Sequence, residues 1–469
     1  MEYVSTRGAA PALGFDDVLL TGLARDRGLY VPRSWPAVSG EDWKGMAGLP
    51  YAELAARVMR PFIAGSAVES KFDALVSQAY AGFRHPAVVP LKQLDSSQWL
   101  MELFHGPTLA FKDVAMQLLG QLFDAVLEAR GQRITIVGAT SGDTGSAAIE
   151  ACRDRERVDI FILHPKGRTS EVQRRQMTTV QADNVHNLAV EGTFDDCQDL
   201  VKALFADQDF RDEVSLSAVN SINWARVMAQ IVYYAAAALA IGAPERAVRF
   251  TVPTGNFGNV FAGYGACQMG LPIEGFLVAS NANDILTRFF ASGAMSMEGV
   301  TPTLSPSMDI QISSNFERLL FDLYDREGGA VAQAMKTFRD SGRLDIGQSR
   351  WRAAFDLFDG FRLDDAGTLA EIARVWRETG ELIDPHTAVG TAAARAKAPK
   401  GAAPTITLAT AHPAKFPDAV EQATGVRPDL PPFLADLYDR EERYGVIPKD
   451  VELLKAEVRK SARIKGAAA

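Results

Sequence analysis

Positive charge, cysteine and long hydrophobic runs are scarce in this 469-residue sequence. Lysine and arginine number 49 against 58 aspartates and glutamates, a formal net charge of −9. That balance argues against nucleic acid or an anionic membrane as partner, since both select basic faces. Any anionic ligand must be met locally. The three cysteines, Cys152, Cys197 and Cys267, stand far apart with no C-x-x-C, which excludes a disulfide framework and predicts reduced thiols. The N-terminus, MEYVSTRGAAPALGFDDVLL, is acidic at Glu2, Asp16 and Asp17 and resembles neither a signal nor a transit peptide, so a cytoplasmic location is expected. The most apolar run, Val227–Ala243, is interrupted by Gln230 and is shorter than the roughly 20 residues of a spanning helix, so it predicts a buried core helix. None of the six histidines lies in H-E-x-x-H or another paired zinc spacing, and no metal is expected. No repeat is visible, and the one low-complexity tract is KAPKGAAP at 397–404.

Hydrophobic residues make up 47% of the chain, enough for a sizeable core and, by length, for two to four domains. Residues 1–95 carry amphipathic stretches such as YAELAARVMRPFIAG broken by Gly and Pro, which predicts a mainly helical N-terminal domain. From 96 to 284 short branched-residue runs, QWLMELF, RITIVGAT, DIFILHP, VHNLAVEG, VRFTVPT and EGFLVASN, alternate with helical patterns. That alternation predicts an α/β core with doubly wound, mostly parallel sheets. It lapses between 285 and 384, read as a helical insertion. TITLATAH then returns the chain to the core over 385–469, ending in the basic amphipathic helix VELLKAEVRKSARIKGAAA.

Three features carry chemistry. IVGATSGDTGSAAIEA is strand, glycine loop, helix; Asp143 stands where a P-loop has lysine, so a nucleotide is disfavoured. What remains is a nest of amides with the Ser141 and Thr144 hydroxyls, suited to a small anion, or else an ordinary βα turn. FTVPTGNFGNVFAGYGA repeats the pattern, with Gly255 and Gly258 admitting close backbone approach and Asn256 and Asn259 offering amides, a phosphate cradle in outline. The third is Lys112 in HGPTLAFKDVAMQLLG, at a helix start that disfavours a cation. It is either a surface lysine beside a capping Asp113 or an amine kept neutral to attack an aldehyde. Amine, phosphate cradle and carboxylate nest together suit pyridoxal phosphate and an amino acid.

The stretches MEYVSTRG, GLYVP, LFHGPTLAFKD, GATSGDTGSAA, GTFDDCQDLVKALF, NSINWARVMAQIVYY, VPTGNFGN, NANDILTRFF, DPHTAVG and ATAHPAKFPDAV resemble, in order and nearly end to end, the threonine synthase family of fold-type II pyridoxal-phosphate enzymes, in its longer-chain bacterial and fungal branch. The resemblance implies that Lys112 carries the cofactor, that Gly255, Asn256, Phe257, Gly258 and Asn259 surround its phosphate, and that Thr410 faces the pyridine nitrogen. Ser141, Gly142, Asp143 and Thr144 resemble the loop for the substrate carboxylate. For the substrate phosphate two N-x-x-R spacings are available, Asn223 with Arg226 and Asn315 with Arg318. His105, His386 and His412 lie in matching motifs and are expected to serve as hydrogen-bonding supports. The implied activity converts O-phospho-L-homoserine and water to L-threonine and phosphate in a monomer or homodimer. The rivals are a phospholyase releasing ammonia and a 2-oxo acid, and a non-catalytic binder of phosphorylated metabolites.

Overall fold

In the computed structural model, residues 1–217, 219, 221–397 and 403–463 are described. Most of the tract at 397–404 and the last six residues therefore lie outside the described residues. Two sheets form the core. The larger runs Phe358–Arg362, Ile273–Ser280, Val248–Pro253, Thr405–Ala409, Gln98–Glu102, Leu91–Gln93, parallel throughout except at the last strand. The second runs Gly445–Pro448, Val185–Glu191, Val158–Pro165, Ile134–Ala139, Leu216–Ser217 and is wholly parallel. Central strands such as Val158–Pro165 are buried at every residue. Their sequences are therefore near-continuous apolar runs, because helices cover both faces.

The helix Lys112–Arg130 ends on Gly131 in the left-handed conformation, with Arg130 in its last turn, an arrangement favoured by the carbonyl end of the dipole. It packs on the helices Asp143–Cys152 and Trp224–Ala240. The first contact depends on Gly120, where a Cβ would stand 2.1 Å from the Ala151 carbonyl oxygen. The apolar run at 227–243 forms most of the helix Trp224–Ala240, buried on nearly all sides. Among the described residues no helix is long and apolar enough to cross a membrane.

Two regions hold strands that apolar patterning does not reveal. The first 95 residues contain the antiparallel pair Tyr3–Ser5 and Tyr30–Pro32 and end in Leu91–Gln93, which joins the larger sheet. The region 285–384 is mainly helical, yet it supplies the edge strand Phe358–Arg362, in parallel register with Ile273–Ser280, and a short antiparallel pair at 294–296 and 343–345. Phe358–Arg362 reads FDGFR. An edge strand half in solvent tolerates the charge and glycine that hide it.

The topology brings the chemistry to one place. The approach to Lys112 follows the strand ending at Glu102, Gly142 follows Ala139, Gly255 follows Pro253 and Thr410 follows Ala409. All four lie at carboxyl ends of parallel strands, where open α/β sheets hold ligands.

Candidate active site

Lys112 is reached through a loop tied at both ends. The Phe111 amide donates to the Thr410 carbonyl at 2.8 Å, the His412 amide to the Leu109 carbonyl at 3.0 Å, and Ala110 bridges Ala411. Leu109 sits at φ +63°, a conformation costly for a branched side chain and held here by those bonds. Asp113 does not cap its helix. Its carboxylate turns back to accept from the Thr108 amide at 2.8 Å and the Thr108 hydroxyl at 2.6 Å. Lys112 is thereby directed inward, with 8% of its surface exposed, and the surface-lysine alternative is excluded. Burial pushes its pKa below the ordinary lysine value; Lys415 and Arg226 push the same way, and Asp143 opposes them.

Asp143 is the hub. One oxygen, Oδ1, pairs with Lys415 Nζ at 2.8 Å and accepts from Gln173 Nε2 at 2.8 Å. The other, Oδ2, faces Lys112 Nζ at 3.5 Å and the Ser307 hydroxyl at 3.4 Å. Burial alone would raise its pKa, but Lys415 and Lys112 reverse the direction and hold it well below the usual carboxylate range. Its preceding residue must be glycine: Gly142 has φ +157°, and a Cβ there would lie 2.4 Å from Gln173 Oε1. The side chain grouped by sequence with a carboxylate-binding loop is thus committed to cations. The Gly142 and Gly145 amides donate to the Thr140 hydroxyl at 3.0 and 2.9 Å, so the Ser141 and Thr144 hydroxyls and the Asp143 amide are the part of the loop suited to an anion.

In the second loop, Phe257 stands at φ +61° and starts the helix Gly258–Gln268. Its ring leaves the loop to pack on Phe290, Phe316 and Phe358, so Phe257 contributes backbone to the cradle. The segment after Pro306 straps across it. Ser313 donates to the Gly255 carbonyl at 2.7 Å, Ser314 to Asn256 Oδ1 at 2.9 Å, and the Asn315 amide to the Asn256 carbonyl at 3.1 Å. Asn259 Oδ1 accepts from the Tyr233 and Tyr234 hydroxyls, while its Nδ2 is buried without a partner.

The two N-x-x-R spacings diverge. Asn223 caps the helix Trp224–Ala240 through the Ala225 amide at 3.0 Å and donates to the Leu19 carbonyl at 2.8 Å, which uses both ends of its amide. Arg226, 4% exposed, has Nε and Nη1 buried with no partner. Arg318 is saturated: Nε reaches the Tyr30 carbonyl at 3.1 Å, Nη2 the Ile222 carbonyl and Nη1 Asn315.

The histidines are supports. His386 donates through Nδ1 to Asp384 at 2.7 Å and accepts the Ser307 amide on Nε2 at 3.3 Å, a pattern that specifies one tautomer. His105 pairs with Glu102 at 2.8 Å. His412 accepts from the Ala414 amide at 3.1 Å, and its pKa is pushed down to about 4, chiefly by burial. Lys415 and Ser307 were not singled out by sequence. Lys415 lies within ATAHPAKF, and its signal was a charged residue amid a run of small and apolar ones.

Residues 2–80 match the threonine synthase N-terminal family, 84–344 the pyridoxal-phosphate dependent enzyme family and 387–458 the threonine synthase C-terminal family. A threonine synthase from Pseudomonas aeruginosa is 58% identical over 459 residues, covering 98% of each chain. The solved structure of PLP-bound threonine synthase from Brucella melitensis superposes with a TM-score of 0.97 at 55% identity, covering 99% of this chain and 100% of that one. The yeast threonine synthase structure gives 0.92 at 39% identity, covering 98% of each. The chain belongs to the threonine synthase family of pyridoxal-phosphate-dependent fold-type II enzymes.

Proposed function

We propose that Lys112 is the catalytic, cofactor-bearing amine of a reaction that converts O-phospho-L-homoserine and water to L-threonine and phosphate. The observation that carries this reading is a buried amine, held toward its neutral form, in a site where buried guanidinium and amide donors of Arg226 and Asn259 have no partner. Unmatched buried donors of that kind suit an anion. The helix start at Gly258, with the Gly255 to Asn259 backbone, would hold the cofactor phosphate together with Asn259 Nδ2. Thr410, tied beside Lys112 through Phe111, would offer the ring nitrogen a hydroxyl rather than a carboxylate. Of the candidates for the substrate phosphate, Arg226 is preferred to Arg318, whose donors are already taken, and Asn223 and Asn315 serve to place the arginines. Ser141, Thr144 and the amide at Asp143 would receive the substrate carboxylate, while Gly142, whose amide donates to the Thr140 hydroxyl at 3.0 Å, shapes the turn.

Pyridoxal phosphate, when bound, supplies an electron sink that acidifies the substrate protons at Cα and Cβ. Lys112 Nζ in its neutral form takes those protons in turn, since one amine reaches adjacent carbons. Arg226 neutralises the phosphate as it leaves Cγ with its bridging oxygen. Lys112 then returns protons to Cγ and Cα, a water hydroxyl joins Cβ, and the proton left by that water balances the one the departing phosphate takes up to leave as hydrogen phosphate. The strap after Pro306 covers the cradle and limits solvent. The division of the chain near residues 95, 284 and 384, a cytoplasmic location and a monomeric or homodimeric state belong to the same proposal; acidic composition and three free thiols support the second.

Incubation of the holoprotein with O-phospho-L-homoserine tests the reaction: threonine and phosphate are expected in equal amounts, and ammonia with a 2-oxo acid in place of threonine would refute it. Lys112→Ala is expected to lose the visible cofactor band that borohydride bleaches in the parent, and to lower turnover by about 10³-fold or more.

A further inference from the structure

Two lysines share one carboxylate. Lys415 follows the strand Thr405–Ala409 in the short turn Pro413–Lys415 and is 0% exposed. Its Nζ donates to the Thr108 carbonyl at 2.7 Å and pairs with Asp143 Oδ1 at 2.8 Å. Lys112 Nζ makes the longer contact, 3.5 Å to Oδ2, and lies 5.8 Å from the centre of the Phe111 ring. Two buried amines contact one carboxylate, and the lysine with the longer contact is the one to release its proton.

We infer that Lys415 is a positioning residue for Lys112: it occupies the Asp143 carboxylate and pins the Thr108 loop, so that Asp143 does not hold Lys112 as an ammonium ion. This rests on the proposed role of Lys112. The charges around the pair act in a consistent sense. Burial, Lys415 and Arg226 lower the Lys112 pKa and Asp143 raises it. On the far side, His386 acts on Asp143, and Lys415 acts on Asp113 and His412. Without Lys415, the direct repulsion on Lys112 disappears and Asp143 turns its whole charge to that amine. Both changes favour the protonated form.

The readout is the rate at which the full chain, freed of cofactor, recaptures pyridoxal phosphate and regains its visible band, measured across pH. Lys415→Met is expected to move the midpoint upward by about one unit, making capture about tenfold slower at neutral pH. The double variant Lys415→Met with Asp143→Asn is expected to move it back, because the carboxylate that holds the proton is gone; a merely structural role for Lys415 would not produce that return. An unchanged midpoint in Lys415→Met, with borohydride labelling still at Lys112, overturns this inference alone. Labelling at Lys415 in the parent chain overturns the assignment of Lys112 and this inference with it. Should Lys415→Met not fold, Lys415→Gln, which keeps a donor for the Thr108 carbonyl, decides in its place: the midpoint is expected to rise, and one that stays in place overturns the inference.

Discussion

Arg226 and Arg318 make a controlled comparison within one molecule. Each lies three residues after an asparagine at the N-cap of a helix, each is buried, and burial lowers the pKa of both, to about 10 and about 9. Both stay charged at neutral pH, so the difference between them is hydrogen bonding. Arg318 gives its donors to the Tyr30 and Ile222 carbonyls and to Asn315, whereas Arg226 leaves Nε and Nη1 unmatched. The first arginine fastens the N-terminal region to the helix Phe316–Leu323. The second is a buried cation at an energetic cost that a ligand can offset, and this marks a binding group apart from a structural one.

The largest effect is expected from breaking the saturated arginine. Arg318→Met removes the buried hydrogen bonds to the Tyr30 and Ile222 carbonyls and to Asn315 Oδ1 and should destabilise the cofactor-free protein by roughly 3 kcal/mol, read as a lower midpoint in urea. Arg226→Met removes an uncompensated charge instead, so the same unfolding experiment should show no loss or a gain in stability. Its penalty appears in binding: affinity for O-phospho-L-homoserine should fall about 30-fold, roughly 2 kcal/mol, with threonine inhibition little changed. Inorganic phosphate should raise the melting temperature of the parent and not of Arg226→Met. A stability loss in Arg226→Met equal to that of Arg318→Met would erase the distinction.

Sequence spacing pairs each arginine with an asparagine three residues before it and has no means of telling the two arginines apart. The partners of Arg318 come from Tyr30, Ile222 and the strap after Pro306, joined only by folding. The same limit explains the rest. Both glycine loops are legible because each is a contiguous strand-to-helix junction with its chemistry written locally, and Lys112 is legible only through the resemblance, since its own surroundings leave a surface lysine open. Lys415 is not, because its meaning depends on Asp143, far along the chain. Asp143 was grouped with an anion-binding loop by neighbourhood, while its carboxylate points to cations. The six main strands between 96 and 284 show as branched-residue runs, but FDGFR at the sheet edge carries no such run, since edge position relaxes the demand for apolar side chains.

Buried carboxylates repeat the contrast with opposite sign, and this gives the smallest effect to measure. Asp143 meets two lysines and is held far below the usual range, whereas Asp113 meets only the neutral Thr108 amide and hydroxyl, and burial pushes it up to about 6. A carboxyl whose folded-state value lies above its unfolded value takes up a proton first in the folded protein, so acidification through that window stabilises. Between about pH 7 and pH 5, Asp113 should add about 1 kcal/mol to stability as pH falls, while Asp143, with its lowered value, contributes loss only at more acid pH, near and below the unfolded carboxylate range. Asp113→Asn removes the titrating group and should flatten this segment of the stability curve while leaving the acid limb in place. A slope unchanged in that variant would mean that Asp113 is ionised in the folded protein throughout, and that Lys415, which lowers its pKa from the other side of Thr108, compensates it as fully as it does Asp143.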